Sequence, residues 1–345
     1  MAFSDMPDNV EKLGITDKLE LHEVPMKRPP DLLRDLTSLW RWVKLLRNVR
    51  PHVVVVATPK ASLLGLAAAW LVMVPKRVYW VWGLRSETER GLRRGVIRIT
   101  EKFAVVASTT VWCVSSSVQT SLRRTAPASA RKAKATIPHH ANGICTNFFF
   151  PANSVQKQFA RRKFGIPEDR LVIGFIGRLN RDKGIDVLVA AIEIVAKKLP
   201  EVFFVITGDH DHTNPPHTIG EKGLSSDNAA TLPFQQDTRA VYHALDVFVM
   251  PSLREGLPTV NLEAASCGLP VVTTSATGCV DSVLPGKSGL VVPPNDSESL
   301  AEAILHLLGD LHLRTEMGRH GREWVTSKFS QREVWRANRL FLESL

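Results

Sequence analysis

The stretch Leu253–Leu269, L-R-E-G-L-P-T-V-N-L-E-A-A-S-C-G-L, holds two carboxylates, a turn and a helix start in one short span. Pro258 falls where a first helical residue belongs, because its missing N–H would have no partner there. The first free N–H groups of that helix, on Thr259 and Val260, then point beyond the end of the preceding strand, where the helix dipole favours an anion such as phosphate. Glu263 follows one turn after Thr259, so its carboxylate faces the same space that Glu255 enters from the Gly256-Leu257 turn. A second cluster, G-R-L-N-R-D-K-G at 177–184, supplies the opposite charge. Arg178 offers a guanidinium fork for two phosphate oxygens, and Lys183 adds a compact point charge at the next helix start. Either cluster alone is what an ordinary strand-loop-helix surface presents. Together they describe a site for a diphosphate.

The elements that must hold these side chains are legible from periodicity. In the second half, apolar runs at Leu171–Ile176, Val202–Thr207, Val247–Met250, Pro270–Thr274 and Gly289–Val292 read as buried strands. Helices are predicted at 185–198, 237–245, from Pro258, and at 297–308, with a long polar loop after Gly208-Asp209. In the first half, Leu19–Met26 alternates like a strand, and a basic amphipathic helix is predicted from Pro30. Its apolar face would hold Leu32, Leu36, Leu39, Val43 and Leu46, and Trp40 and Trp42 could form an interfacial belt. Strands at 52–57, 77–81 and 110–114 alternate with helices from Ala61, from Glu89 to Val106 and from Ser116 to Arg123. Strand-helix alternation implies parallel sheets with right-handed crossovers. The expected class is therefore α/β, with two Rossmann-like parallel-sheet domains facing across a cleft that takes ligand beyond the strands' carboxyl ends. The expected boundaries are 1–150 for the first domain, 151–168 for a linker and 169–328 for the second. A helix at 329–345 is expected to pack back on the first domain.

Composition narrows the partners. The chain of 345 residues is 44% hydrophobic and 23% charged, the balance of a globular protein. The apolar run from Leu63 to Pro75 is too short to span a bilayer, and the acidic, polar N-terminus carries no secretory signal. Cys113, Cys145, Cys267 and Cys279 show no paired spacing, which argues against a zinc site or a disulfide framework and fits a reducing cytoplasm. The net charge of +10 is lopsided. Residues 1–165 hold 27 Lys and Arg against 11 Asp and Glu, whereas the remainder holds 17 against 23. A basic half seeks an acidic partner. Nucleic-acid motifs are missing from the sequence, which leaves an anionic membrane leaflet, a diphosphate-bearing substrate, or a merely solvated basic face.

Taken in order, G-R-L-N-R-D-K-G, T-G-D, A-L-D-V-F-V-M-P-S-L-R-E-G-L-P-T-V-N-L-E-A-A-S-C-G-L-P-V-V and G-K-S-G-L-V-V-P-P-N-D closely resemble the retaining GT-B-fold glycosyltransferases of family 4, over residues 170–310. T-P-K-A-S-L-L-G-L-A-A and W-G-L-R-S-E extend the resemblance loosely into the first half. These phrases are similar to the branch that builds capsule, O-antigen and lipid-linked glycans. The resemblance implies a hexosyl transfer from a nucleotide-sugar, expected to be UDP-linked, to a lipid-diphosphate-linked or polysaccharide acceptor, with no metal or other cofactor. It also implies roles. Arg178 and Lys183 would stabilise the leaving diphosphate, Glu255 would hold hydroxyls of the transferred sugar, and Glu263 would accept from the ribose. Gly177, Gly256, Leu257, Thr259 and Val260 would complete the donor site, and Lys60 and Arg85 are the acceptor-side candidates. Family members retain anomeric configuration by front-face attack, and the enzyme would work in the cytoplasm at the inner face of the membrane.

Three departures stand out. Trp82 occupies a position where many relatives have His, and Asn142-Gly143-Ile144-Cys145 replaces the common N-G-V-D. No apolar strand with a Gly-rich loop precedes Leu19, so the first βα unit is expected to be missing. This leaves as an alternative a truncated, non-catalytic nucleotide-sugar-binding module. An epimerase of the same fold is a further one. His210, His212 and His217 lie in a proline-bearing loop, read as a loop near the cleft rather than a metal site.

Overall fold

The computed structural model describes residues 2–3, 20–26, 31–127, 133–134, 143–211, 215–216 and 228–345. They divide into two compact units: Met1–Cys113 with Gln119–Lys134 and Leu345, and Val114–Val118 with Ala135–Ser344. In the first unit, β1 (Ala2–Phe3) pairs in parallel with β2 (His22–Glu23). The helix α1 (Leu32–Val49) follows, its start held by the Asp31 side chain accepting from the Arg34 N–H. Next come β3 (Val53–Val56), α2 (Pro59–Leu71), β4 (Lys76–Val81), α3 (Gly91–Ala107), β5 (Thr110–Cys113), α4 (Ser116–Thr125) and β6 (Ala133–Lys134). The four strands form a parallel sheet in the order β3-β4-β5-β6. β3 consists of four valines, residues whose branched side chains suit a pleated, covered surface.

The second unit opens with α5 (Ser154–Lys163) and continues through β7 (Val172–Ile176), α6 (Ile185–Lys198), β8 (Phe203–Thr207), β9 (Ala229–Leu232), α7 (Arg239–Ala244) and β10 (Val247–Met250). It ends with α8 (Thr259–Ser266), β11 (Val271–Thr274), β12 (Gly289–Val292), α9 (Ser297–Gly309), α10 (Leu311–Lys328) and α11 (Gln331–Glu343). Six parallel strands run in the order β12-β11-β10-β7-β8-β9. The chain thus winds outward from β7 through β8 to β9, then returns to the other side of β7 with β10. Loops leaving β7 and β10 diverge at that junction, the topological switch point where open α/β sheets take their ligands. Every residue of β7, β8, β10 and β11 is buried, which explains why these strands read as continuous apolar runs rather than alternating ones.

Several expectations change. Pro258 is the N-cap of α8 in extended conformation, and the first helical residue is Thr259. The polar loop after Asp209 contains the edge strand β9, whose half-exposed residues carry too weak a pattern to signal it. The strand expected over Leu19–Met26 is two residues long. On α1 the inward face is Ser38, Trp42 and Leu46, one every four residues, while Leu36 points to solvent. Trp42 is therefore core rather than an interfacial anchor. Its indole faces Gly65 of α2, where an added Cβ would lie 3.8 Å away, an ordinary van der Waals distance, and 3.0 Å from Val56 Cγ1. Thr136, Ile137, His139, His140, Asn142, His212 and His217 lie outside the described residues.

The stretch expected as a linker holds α5, started by a reciprocal capping box between Asn153 and Gln156. Its Arg161 is buried and engages all three of its guanidinium nitrogens. Nη2 meets Asp246 Oδ2 at 2.8 Å, Nε reaches the Ala244 carbonyl at 3.1 Å, and Nη1 reaches the carbonyls of Glu168 and Arg170 at 2.6 and 3.0 Å. Asp246 also accepts from the Val172 N–H at 2.7 Å and from Lys157 Nζ at 2.5 Å. Removing one partner of such a knot leaves the other buried without compensation, so Arg161→Ala should destabilise this unit by about 3–5 kcal/mol in urea unfolding. A change below about 1 kcal/mol would show that the knot contributes only surface-like stability.

Candidate functional site

The site is assembled at the carboxyl end of β7 and β10 by backbone links that only particular residues allow. Gly208, at φ +147°, lies so close to Gly177 that a Cβ there would come 1.8 Å from the Gly177 carbonyl oxygen. That close approach lets the G-R-L and T-G-D segments pair. Leu179 N–H donates to the Asp209 carbonyl at 2.8 Å, and Asp211 N–H returns to Leu179 at 3.3 Å. Asn180, buried, caps the next turn through its Oδ1 to the Lys183 N–H at 3.0 Å and donates through Nδ2 to Asp211 at 3.1 Å. Arg178 is exposed, with Nη1 3.7 Å from Asp211 Oδ2.

Lys183 ends a tight turn at Arg181–Lys183 and is followed by Gly184 at φ +69°. A Cβ on Gly184 would lie 2.0 Å from the Pro251 carbonyl oxygen, so glycine is what lets this turn lie against the end of β10. Two further links join the same loops. Leu253 N–H donates to the Asp182 carbonyl at 2.8 Å, and Arg254 Nη2 meets Asp182 Oδ2 at 2.8 Å. With the loops fixed, Lys183 Nζ sits 2.5 Å from Glu255 Oε1, both side chains largely shielded. Glu255 is held from its other side by its N–H donating to Thr277 at 2.9 Å. Gly278 presses there at φ +80°, with a hypothetical Cβ 2.4 Å from the Glu255 carbonyl oxygen.

Gly256 and Leu257 carry the loop into α8, and Leu257 and Val260 pack on the core. The buried Asn261 ties α8 to the strands, donating through Nδ2 to Thr273 Oγ1 at 3.2 Å and Ser282 Oγ at 2.7 Å. The Thr273 hydroxyl in turn donates to the Met250 carbonyl at 2.9 Å. The N–H groups of Thr259 and Val260 belong to the helix's first turn, where no intrahelical acceptor precedes them. Glu263 is held by a residue the sequence reading passed over. The Tyr242 hydroxyl lies 2.9 Å from Glu263 Oε2 and 3.2 Å from the Val260 carbonyl. Burial pushes the Glu263 carboxyl up, and the Tyr242 hydrogen bond opposes that shift. Burial, with Glu263 nearby, drives the Tyr242 phenol well above its usual range. Tyr242 and Asn261 could have been noticed as polar side chains standing inside apolar runs.

The structure therefore brings Lys183 to Glu255 and sets Glu263 on the helix that Glu255's loop enters, while Arg178 faces Asp211. Lys60 and Arg85 lie in the other unit. Lys60 Nζ is 2.6 Å from Asp35, and Arg85 is 3.8 Å from Glu89. Among the described residues no group of three or more His, Cys, Asp or Glu side chains is placed to hold a metal ion.

Comparison with known proteins agrees with this geometry. Residues 156–324 match the family described as glycosyl transferases group 1, and residues 3–138 match glycosyltransferase family 4. The capsular polysaccharide biosynthesis glycosyltransferase CapM of Staphylococcus aureus is 32% identical over 91% of this chain and 82% of its own length. The Escherichia coli UDP-Gal:alpha-D-GlcNAc-diphosphoundecaprenol alpha-1,3-galactosyltransferase is 27% identical over 92% of this chain and 81% of its own. The crystal structure of Anabaena Alr3699/HepE with UDP shares the fold at a TM-score of 0.78. That match is 19% identical and covers 97% of this chain and 89% of the other.

The raised Glu263 value has a measurable consequence. The folded protein holds this proton more tightly than the unfolded chain, so Glu263's contribution to stability is full below its ordinary pKa of 4.5 and is lost as pH rises through the higher folded value. Glu263→Gln should flatten that segment of the stability-versus-pH curve. An unchanged slope would mean that Glu263 is not the group responsible.

Proposed function

As this chain belongs to the group 1 and family 4 glycosyltransferases of GT-B fold, we propose that it moves a sugar from a UDP-sugar to a lipid-diphosphate-linked or polysaccharide acceptor in cell-surface glycan synthesis, with retention of anomeric configuration. The observation that carries the reading is the Lys183–Glu255 pair at the switch point, next to the first turn of α8 and below Arg178. A cation and a hydroxyl-binding carboxylate side by side suit a donor that joins diphosphate to sugar. The names of two similar proteins support the choice of base and acceptor, one acting with UDP-Gal on a diphosphoundecaprenol-linked sugar and one crystallised with UDP.

In this reading the acceptor hydroxyl attacks the anomeric carbon from the face the phosphate leaves. The carbon–oxygen bond to the diphosphate breaks as the new glycosidic bond forms, and the hydroxyl proton passes to the departing phosphate oxygen. Lys183 and Arg178 stabilise the charge that grows on that oxygen, together with the N–H groups of Thr259 and Val260. We assign this charge compensation to side chains and helix, with no metal. Gly177 carries the chain from β7 to Arg178 on the donor side. Glu255 accepts hydrogen bonds from the transferred sugar, and Glu263, oriented by Tyr242, accepts from the ribose. Lys60 and Arg85 serve the acceptor side, and the basic first half places the enzyme at the inner, anionic face of the membrane. Among the described residues no helix is long and apolar enough to cross it.

Isothermal titration against UDP- and GDP-sugars, followed by transfer to a lipid-linked acceptor, tests the reading. Absence of both donor binding and donor hydrolysis would sink it, and a product of inverted configuration by NMR would remove the retaining mechanism. Lys183→Ala should lower kcat by about 10²–10³-fold, the usual cost of deleting one preorganised donor to a developing oxyanion. Glu255→Gln should also lower turnover strongly while leaving the thermal unfolding curve close to that of the parent. Unchanged rates in both variants would exclude these two residues from the roles assigned.

A further inference from the structure

Helix α3 carries apolar residues on two opposite sides. Ala104 and Val105 are buried on the inward side, as is Glu101, whose carboxylate accepts from the Ser86 hydroxyl at 2.7 Å and the Ser86 N–H at 3.3 Å. The outward side holds Leu92, Val96, Ile99, Phe103 and Val106, spaced four, three, four and three residues apart. At about 100° per residue these five fall within an arc of about 80°, centred opposite Glu101. Leu92, Val96, Ile99 and Val106 are 93%, 61%, 68% and 63% exposed, and Phe103 is half-buried. A continuous apolar stripe on solvent along a whole helix marks an interaction surface.

The charges on the same helix select the occupant. Arg93 and Lys102 flank the stripe on its two sides, about 100° and about 80° from its centre, and the one acid, Glu101, is turned inward. A second copy docked along this seam would set these flanking cations against their own kind. A surface that is apolar within and anionic at its boundary satisfies both features, as a bilayer leaflet with anionic headgroups does. Helix α1 also exposes Leu33, Leu36 and Trp40, yet it has Asp31 and Asp35 in its first turn region. We propose that α3 is the element that seats the protein on an anionic bilayer, lying in the interface with Leu92, Val96, Ile99 and Val106 among the acyl chains and Arg93 and Lys102 at the phosphates. This rests on the lipid-linked-acceptor reading above and names the surface that would bring the enzyme to such an acceptor.

The test is co-sedimentation of the full chain with phosphatidylcholine vesicles, with and without about 30 mol% phosphatidylglycerol. The parent should bind the anionic vesicles and bind the neutral ones far more weakly. Val96→Ser/Ile99→Ser and Arg93→Ser/Lys102→Ser should each lower partitioning by about tenfold or more, with unchanged circular dichroism and melting, because all four side chains are exposed. A parent that ignores anionic vesicles, or variants that bind as well as the parent, would overturn the proposal. So would light scattering that shows a dimer made monomeric by Val96→Ser/Ile99→Ser. UDP-sugar hydrolysis in vesicle-free buffer keeps the two readings apart. Donor turnover without vesicle binding sinks the docking alone, and vesicle binding without donor turnover supports the docking while sinking the transferase reading.

Discussion

The candidate site depends on one mechanical fact: two loops that leave β7 and β10 in diverging directions are bound into a single surface. The links are short and of different kinds. A backbone hydrogen bond joins Leu253 to Asp182, an ion pair joins Arg254 to the same aspartate, and Gly184 lies in van der Waals contact with Pro251. None of these groups needs to touch a substrate. Their effect is to fix where the Lys183 ammonium and the Glu255 carboxylate stand, so that positioning costs little reorganisation when a ligand arrives.

Lys183 and Glu255 neutralise each other. A bound diphosphate would offer Lys183 a second anionic partner, and sugar hydroxyls would offer Glu255 new donors, so each side chain exchanges one partner for another rather than losing one. Glu263 is handled differently. Burial disfavours its charge, and the Tyr242 hydroxyl restores part of what burial removes. One carboxylate is thus balanced by a cation and the other by a neutral donor, so the two stand in different electrostatic surroundings.

Much of this was legible in the sequence because the site is built from consecutive residues at strand ends. Apolar runs locate β7, β8, β10, β11 and β12, and the pairing of R-x4-K with E-x7-E points to charge compensation. What stayed hidden depends on contacts distant in sequence. The roles of Tyr242 and Asn261 come from partners on other elements, at Glu263, Thr273 and Ser282. The inward face of α1 was misread because periodicity shows that a helix is amphipathic, while the rotation that seats it is decided by its neighbour. Here the neighbour is α2, whose Gly65 faces the indole of Trp42. The outer stripe of α3 was missed for the opposite reason, since a helix apolar on two sides looks like one that is simply buried.

The knot around Arg161 has a bearing on where the second unit can be cut from the chain. Counted by its sheet, that unit starts at β7, and a fragment beginning at residue 169 would contain all six strands. Counted by its charges it starts earlier, because Asp246 sits between β7 and β10 and receives Lys157 and Arg161 from α5. A fragment without α5 would keep an aspartate beneath the sheet with its principal cations deleted. The autonomous piece is therefore defined by the reach of one carboxylate, and its working edge lies at the Asn153 cap of α5 rather than at the first strand.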